Sequence, residues 1–120
     1  MKFINTEING LFLIKPIVNF DNRGFFKEIF NKKHFESFFN QKFSFCQHNQ
    51  SYSNKNVLRG LHYQKPPFQQ SKLIWVSDGE ILDVVVDIRK ESKTYGKHYS
   101  CILSSKNHLI LYVPKGFAHG

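Results

Sequence analysis

At 120 residues the chain fits one domain with a small core, and 41% hydrophobic and 16% aromatic residues, with 13 Phe, exclude a disordered polymer. No apolar run approaches the ~20 residues of a bilayer span, and the opening Met1-Lys2-Phe3-Ile4-Asn5-Thr6-Glu7 carries neither an apolar signal core nor a small-residue cleavage site, so a soluble, cytoplasmic protein without a membrane partner is expected. The net charge of +8 attracts anions in general, but lysines such as Lys55, Lys65, Lys90 and Lys106 are scattered, and no block of like charge marks a nucleic-acid footprint.

Along the chain, residues 12–18 are apolar and branched, with Pro16 suggesting an edge strand. Asp21-Asn22-Arg23-Gly24 is a turn signal, and residues 25–30 follow as a strand. Asn31 is a natural cap for a short helix in which Phe35, Phe38 and Phe39 fall at i, i+3 and i+4 and read as core. Further strands are expected at residues 43–51, 57–64 and 72–76, the last entering a turn at Ser77-Asp78-Gly79. Residues 81–89 have the clearest strand period: Leu82, Val84, Val86 and Ile88 share one face, and Ile81, Asp83, Val85, Asp87 and Arg89 the other. Residues 99–103 and 109–113 complete the set. Many short strands between turn signals predict an all-β domain over residues 1–120, a jelly-roll barrel with one short helix. Cys46 and Cys101 make no CxxC spacing and read as reduced thiols.

Several side chains could do chemistry inside such a barrel. His62, in Leu58-Arg59-Gly60-Leu61-His62-Tyr63-Gln64, has the side chain most used as a general base near neutrality. Arg59 suits a phosphate through paired hydrogen bonds. Strict alternation would place Arg59 and His62 on opposite faces, and Gly60 could supply a bulge that turns both toward one cavity. Lys72, at the head of the apolar run Leu73-Ile74-Trp75-Val76, could stabilise a developing enolate oxygen. Val113-Pro114-Lys115-Gly116-Phe117-Ala118-His119 puts His119 after a strand, at a barrel mouth. Asp83 and Asp87 share a strand face, and a buried carboxylate there needs a partner; His119, oriented by Asp83, is one candidate. Gln64, Gln69 and Gln70 stand where a divalent ion would need histidine or carboxylate ligands, so no catalytic metal is expected.

The set Asp21-Asn22-Arg23-Gly24-Phe25-Phe26-Lys27-Glu28, Gln47-His48-Asn49-Gln50-Ser51, Asn56 through Gln64, Gln70-Ser71-Lys72-Leu73, Asp83-Val84-Val85-Val86-Asp87-Ile88-Arg89, Ser92-Lys93-Thr94-Tyr95-Gly96 and Val113 through Gly120 resembles, in order, the dTDP-4-dehydrorhamnose 3,5-epimerase family. The resemblance implies a cupin-type barrel, a homodimer, no metal or organic cofactor, and a dTDP-4-dehydro-6-deoxy-D-glucose substrate inverted at C3 and C5. By motif position, His62 matches the general base and Lys72 the lysine near the sugar ketone. Arg23, Glu28, Gln47, Asn49 and Arg59 match nucleotide and diphosphate contacts, and His119 a substrate-contacting histidine. The family's acid tyrosine, and the carboxylate that orients its catalytic histidine, follow the Gly116-Phe117-Ala118-His119-Gly120 motif. The resemblance therefore implies a domain lacking its C-terminal segment, and Tyr63, Tyr95, Tyr99 and Tyr112 do not match the acid's motif. Competing readings are a 3-epimerase or 3,4-ketoisomerase on the same barrel, an inactive nucleotide-sugar binder, and a nucleic-acid-binding β-barrel.

Overall fold

The computed structural model describes residues 1–120. In chain order the elements are β1 (Lys2–Asn5), β2 (Phe12–Lys15), β3 (Val18–Asp21), β4 (Gly24–Lys27), α1 (Lys32–Phe39), β5 (Lys72–Trp75), β6 (Glu80–Asp87), β7 (His98–Ser104), β8 (Ile110–Val113) and β9 (Phe117–His119). One sheet has the order β1-β2-β8-β5, a second β7-β6-β9, and β3 and β4 form a separate hairpin. All the pairings are antiparallel, and the ladders do not close into a ring.

The strand β8 lies at the centre of the packing because all four of its residues are buried. Leu111 and Val113 face the second sheet, in a core with Ile8, Leu11, Val76, Val85, Leu103 and Phe117. Ile110 and Tyr112 face the other way, into a core with Ile14, Phe35 and Phe43 that α1 covers. This second core is aromatic: Phe39 lies 4.8 Å from Tyr112 and Phe43 5.5 Å from Phe35, ring centre to ring centre. The helix starts where the sequence predicts, with the Asn31 side chain accepting from the His34 N–H at 3.2 Å and satisfying one of the free donors of the first turn. Phe35 is fully buried, and Phe38, though 44% exposed, stacks on Phe3 at 4.2 Å.

Three strand expectations are corrected. Residues 12–18 are not one strand: β2 ends at Lys15, because Pro16 has no N–H to give the ladder, and β3 begins at Val18 outside the first sheet. Residues 43–51 form no strand: Phe43 and Phe45 alternate because Phe43 packs on the helix and tyrosine core, not because they pair in a ladder. Residues 57–64 contribute one isolated bridge, at His62. The short β1 and β9, and β3 beyond Val18, lie outside the predicted set.

In β6 the buried face carries Asp83, Val85 and Asp87, while Leu82, on the more apolar face, is 62% exposed. Asp87, with no exposed surface, accepts from the Arg89 Nε and Nη2 (2.8 and 2.7 Å), the Arg89 N–H (3.0 Å), and the Ser92 and Thr94 hydroxyls (2.6 and 2.7 Å). Burial alone would raise its pKa, but these donors together hold the carboxyl well below the ordinary range. A carboxyl depressed in the folded state adds stability above its unfolded pKa, and that stability is lost as pH falls through the folded value. Asp87→Asn is expected to lower unfolding free energy at pH 7 by about 2–4 kcal/mol. Urea unfolding at pH 7 and pH 3 checks this, the difference between the two proteins shrinking at the lower pH.

Candidate active site

His119 pairs with Val85 of β6, a fully buried residue of the core between the sheets. Directly paired residues leave a sheet on the same side, so the His119 imidazole points inward. Beyond β9, the 57–64 segment adds its single bridge: the His62 N–H donates to the His119 carbonyl at 2.8 Å, and the His119 N–H to the His62 carbonyl at 3.0 Å. His62 thus stands beside His119 on the same side of the sheet, at its exposed rim. Gly60 permits this approach. Its φ is +110°, and a Cβ there would lie 2.6 Å from Gly120 Cα and 3.0 Å from the His119 carbonyl oxygen.

Asp83 lies two residues before Val85 on the same face and is 1% exposed. Its Oδ2 is 2.9 Å from His119 Nε2. An ionised carboxylate only accepts, so Nε2 carries the hydrogen and Nδ1 is left for other partners. Lys72 opens β5 opposite Val113, an inward-facing core residue, so the half-buried Lys72 leaves β5 on the inner side of the facing sheet.

The remaining predicted residues are more dispersed. Arg59 is exposed, with Nε on the Ser53 hydroxyl at 2.9 Å and Nη2 on the Tyr52 carbonyl at 3.0 Å. The expected bulge at Gly60 is therefore replaced by a positive-φ turn outside any ladder, and Arg59 is turned toward the 52–53 loop. Gln47 Nε2 donates to Asn49 Oδ1 at 3.2 Å, and Gln47 lines a cavity of about 650 Å³ between residues 41–47, 69–71 and 112–115. That cavity takes in none of His62, Lys72 and His119. Arg23, at the tip of the β3–β4 hairpin, is ion-paired with Asp21 at 2.6 Å; the hydrogen bonds between the two lower the Asp21 pKa and raise that of Arg23. Glu28 accepts from Asn31 Nδ2 at 3.0 Å, next to the start of α1. The hairpin meets the body at His108, whose Nδ1 lies 3.0 Å from Lys27 Nζ and whose ring lies 4.8 Å from that of Phe25. Burial, and then the Lys27 charge, lower the His108 pKa, in keeping with a neutral imidazole that accepts from lysine.

Two inward residues were not singled out by sequence. Cys101 is paired with Asp83, and Tyr99 with Val85. Burial, and then the charge of Asp83, push the Cys101 thiol up to about 11. Burial first, then Cys101 and Glu7, raises the Tyr99 phenol. The period of two in residues 98–104 carries this information, since Tyr99, Cys101 and Leu103 share a face. No group of three or more His, Cys, Asp or Glu side chains is placed to hold a metal ion.

Two facing sheets with a histidine pair on one inner surface and a lysine on the other define a cupin-type fold. The chain belongs to the dTDP-4-dehydrorhamnose 3,5-epimerase family, whose model matches residues 5–120. It is 50% identical over its full length to dTDP-4-dehydrorhamnose 3,5-epimerase of Shigella flexneri and covers 66% of that protein. It superposes on the crystal structure of dTDP-4-dehydrorhamnose 3,5-epimerase from Elizabethkingia anophelis NUHP1 with a TM-score of 0.94 at 44% identity, covering 99% of this chain and 65% of that one. It also matches dTDP-6-deoxy-D-glucose-3,5-epimerase of Legionella pneumophila Philadelphia 1, crystallised with dTDP-4-keto-L-rhamnose, at a TM-score of 0.92 and 47% identity, over 98% of this chain and 62% of that one. The chain thus spans a little under two thirds of the length of these relatives.

The contact at Gly60 predicts that Gly60→Ala forces the 57–62 segment off β9. Amide hydrogen exchange at His62 and His119 should accelerate by about tenfold or more, while that of β8 stays slow.

Proposed function

We propose that this chain supplies the base, the ketone-binding lysine and the nucleotide contacts of an enzyme that converts dTDP-4-dehydro-6-deoxy-D-glucose to dTDP-4-dehydro-L-rhamnose. The observation that carries this reading is the His62–His119 bridge, which sets two imidazoles side by side on an inner surface opposite the sheet that bears Lys72. A C4 ketone acidifies the C–H bonds at C3 and C5. His62 removes one proton at a time, and the enolate charge is stabilised by Lys72 and by His119, which Asp83 holds in one orientation. The ketone supplies the electron sink, so the reaction asks for neither a metal nor an organic cofactor. Inversion also needs an acid across the ring, a tyrosine in the family; none of Tyr63, Tyr95, Tyr99 and Tyr112 is assigned that role.

Arg59 spends two of its five N–H donors on Ser53 and Tyr52, leaving three for a diphosphate. Gln47 and Asn49 are assigned to the nucleotide. Arg23 and Glu28 are assigned to the site of a second subunit in a homodimer. The hairpin that bears Arg23 exposes Phe20 (71%), Phe25 (53%) and Phe26 (71%), more apolar surface than a lone hairpin leaves in water without a partner.

Incubation with the proposed substrate in D2O, followed by NMR, tests the chemistry. Deuterium should enter at C3 and C5, and His62→Ala should slow both exchanges by about 10²–10⁴-fold. Exchange at C3 alone would make the enzyme a 3-epimerase, and exchange unchanged in His62→Ala would remove His62 from the role of base. Sedimentation tests the dimer. The wild-type chain should sediment as a dimer and Phe26→Ser as a monomer with the same circular dichroism; a monomeric wild type would overturn the dimer.

A further inference from the structure

None of residues 18–27 belongs to either core, and the β3–β4 hairpin pairs with neither sheet. Its polar and aromatic contacts with the rest of the chain converge on one side chain, His108. Lys27 Nζ lies 3.0 Å from His108 Nδ1, and the rings of Phe25 and Phe20 lie 4.8 and 6.3 Å from the imidazole, centre to centre. The body holds His108 in place without help from the hairpin. His108 sits at φ +57° in the turn between β7 and β8, where its N–H donates to the Ser104 carbonyl at 3.1 Å. The Asn107 side chain ties the same turn by accepting from the Ser104 and Leu109 N–H groups at 3.1 and 3.0 Å.

The bond between Lys27 and His108 exists in one protonation state only. An ammonium donates and has no lone pair, so Nδ1 must accept and the ring must be neutral. A proton on Nδ1 removes that acceptor and sets an imidazolium against an ammonium. No carboxylate offsets the repulsion: Glu28, beside Lys27, is turned to Asn31 and His34, and Asp21 to Arg23. The other charges on neighbouring elements are Lys106 on the same turn, Lys15 at the end of β2, and Asp78 and Glu80 on either side of Gly79, whose carbonyl accepts from the Ser105 N–H. All four are exposed, and the ion pairs of the chain do not include His108.

We infer that His108 is a pH-sensitive latch for this hairpin: the neutral imidazole holds the hairpin, with Arg23 at its tip, against the body, and the imidazolium releases it. Burial, and then the Lys27 charge, lower the pKa of the docked ring, so by linkage protonation favours the undocked hairpin. The contact is complete above the ordinary imidazole pKa of about 6.5 and is lost as pH falls through the lowered value of the docked ring. Pro16 is buried and Ile29 packs on the aromatic core, so the released segment stays tethered at both ends. The inference rests on the assignment of Arg23 to a second subunit's site only for its functional meaning: mild acid would withdraw Arg23 from that site.

The test needs no substrate. NMR of the chain follows the His108 ring proton between about pH 8 and pH 5, where imidazoles change charge, together with the nuclear Overhauser contacts from that ring to Phe20 and Phe25. The ring should titrate below the ordinary value, and both contacts should be lost at the same midpoint while the Gly24 amide becomes mobile. His108→Asn keeps an acceptor near the position of Nδ1, tolerates the positive φ and does not titrate, so its Gly24 amide should stay ordered over the whole range. Ring contacts absent at pH 8, a ring still neutral at pH 5, contacts that persist once the ring is charged, or a His108→Asn chain that loosens at the wild-type midpoint overturns the inference. If His108→Asn is loose at every pH, Lys27→Met decides: the His108 midpoint should rise toward the ordinary value, and an unmoved midpoint overturns the latch. None of these outcomes touches His62 as base, which the D2O experiment tests separately.

Discussion

The buried face of β6 holds two carboxylates four residues apart, and each must find partners inside the protein. Asp87 finds five donors from the loop that follows it. Through Arg89 that loop also reaches the Asn9 carbonyl at 2.6 Å and stacks over Phe117 at 4.3 Å. The end of β6, the start of β9 and the turn between β1 and β2 are thereby fastened together. Asp83, in the middle of the strand, is bonded to His119. One strand thus carries a saturated, rigid end and, four residues earlier, a buried carboxylate directed at an imidazole.

The placement of Lys72 follows from a different constraint. Because both faces of β8 are buried, its partners on β5 must alternate with it. Leu73 and Trp75 go with Tyr112 and Ile110 to the aromatic side, and Lys72 and Ile74 go with Val113 and Leu111 to the side that faces the second sheet. The aromatic core under α1 therefore does more than fill volume. By claiming the hydrophobic residues of one β5 face, it fixes which face bears the cation, and a register slip of one residue would bury Lys72 among phenylalanines.

Much of this was legible in the sequence because local signals agreed with the tertiary result. Asn31 caps the helix, the i, i+3, i+4 phenylalanines pack on β8, and the period of two in β6 put Asp83 and Asp87 on one face with a histidine named as partner. What the sequence did not show is which extended segments pair in a ladder. Phe43 and Phe45 alternate along a segment that only lies against the core, and residues 57–64 read as a strand although a positive φ at Gly60 reserves the segment for one close approach to β9. Cys101 reads from the sequence only as a reduced thiol; its place opposite Asp83 comes from the cross-strand register of β6 and β7. Arg23 and Glu28 were assigned by motif position alone and Arg59 by its guanidinium as well, and within this chain their partners are Asp21, Asn31 and Ser53.

The two histidines differ in what holds them. They share a pair of backbone hydrogen bonds, so neither can move along its strand without the other. The His119 imidazole has one nitrogen committed to a carboxylate, which fixes the ring plane and makes Nε2 a donor. It can then present only Nδ1 to a ligand, from a fixed position. His62 stands at the exposed rim, where its position is set by the bridge and not by Asp83. The bridge fixes the spacing of the two imidazoles and Asp83 fixes the ring plane of His119, so one backbone contact and one buried carboxylate together place the pair.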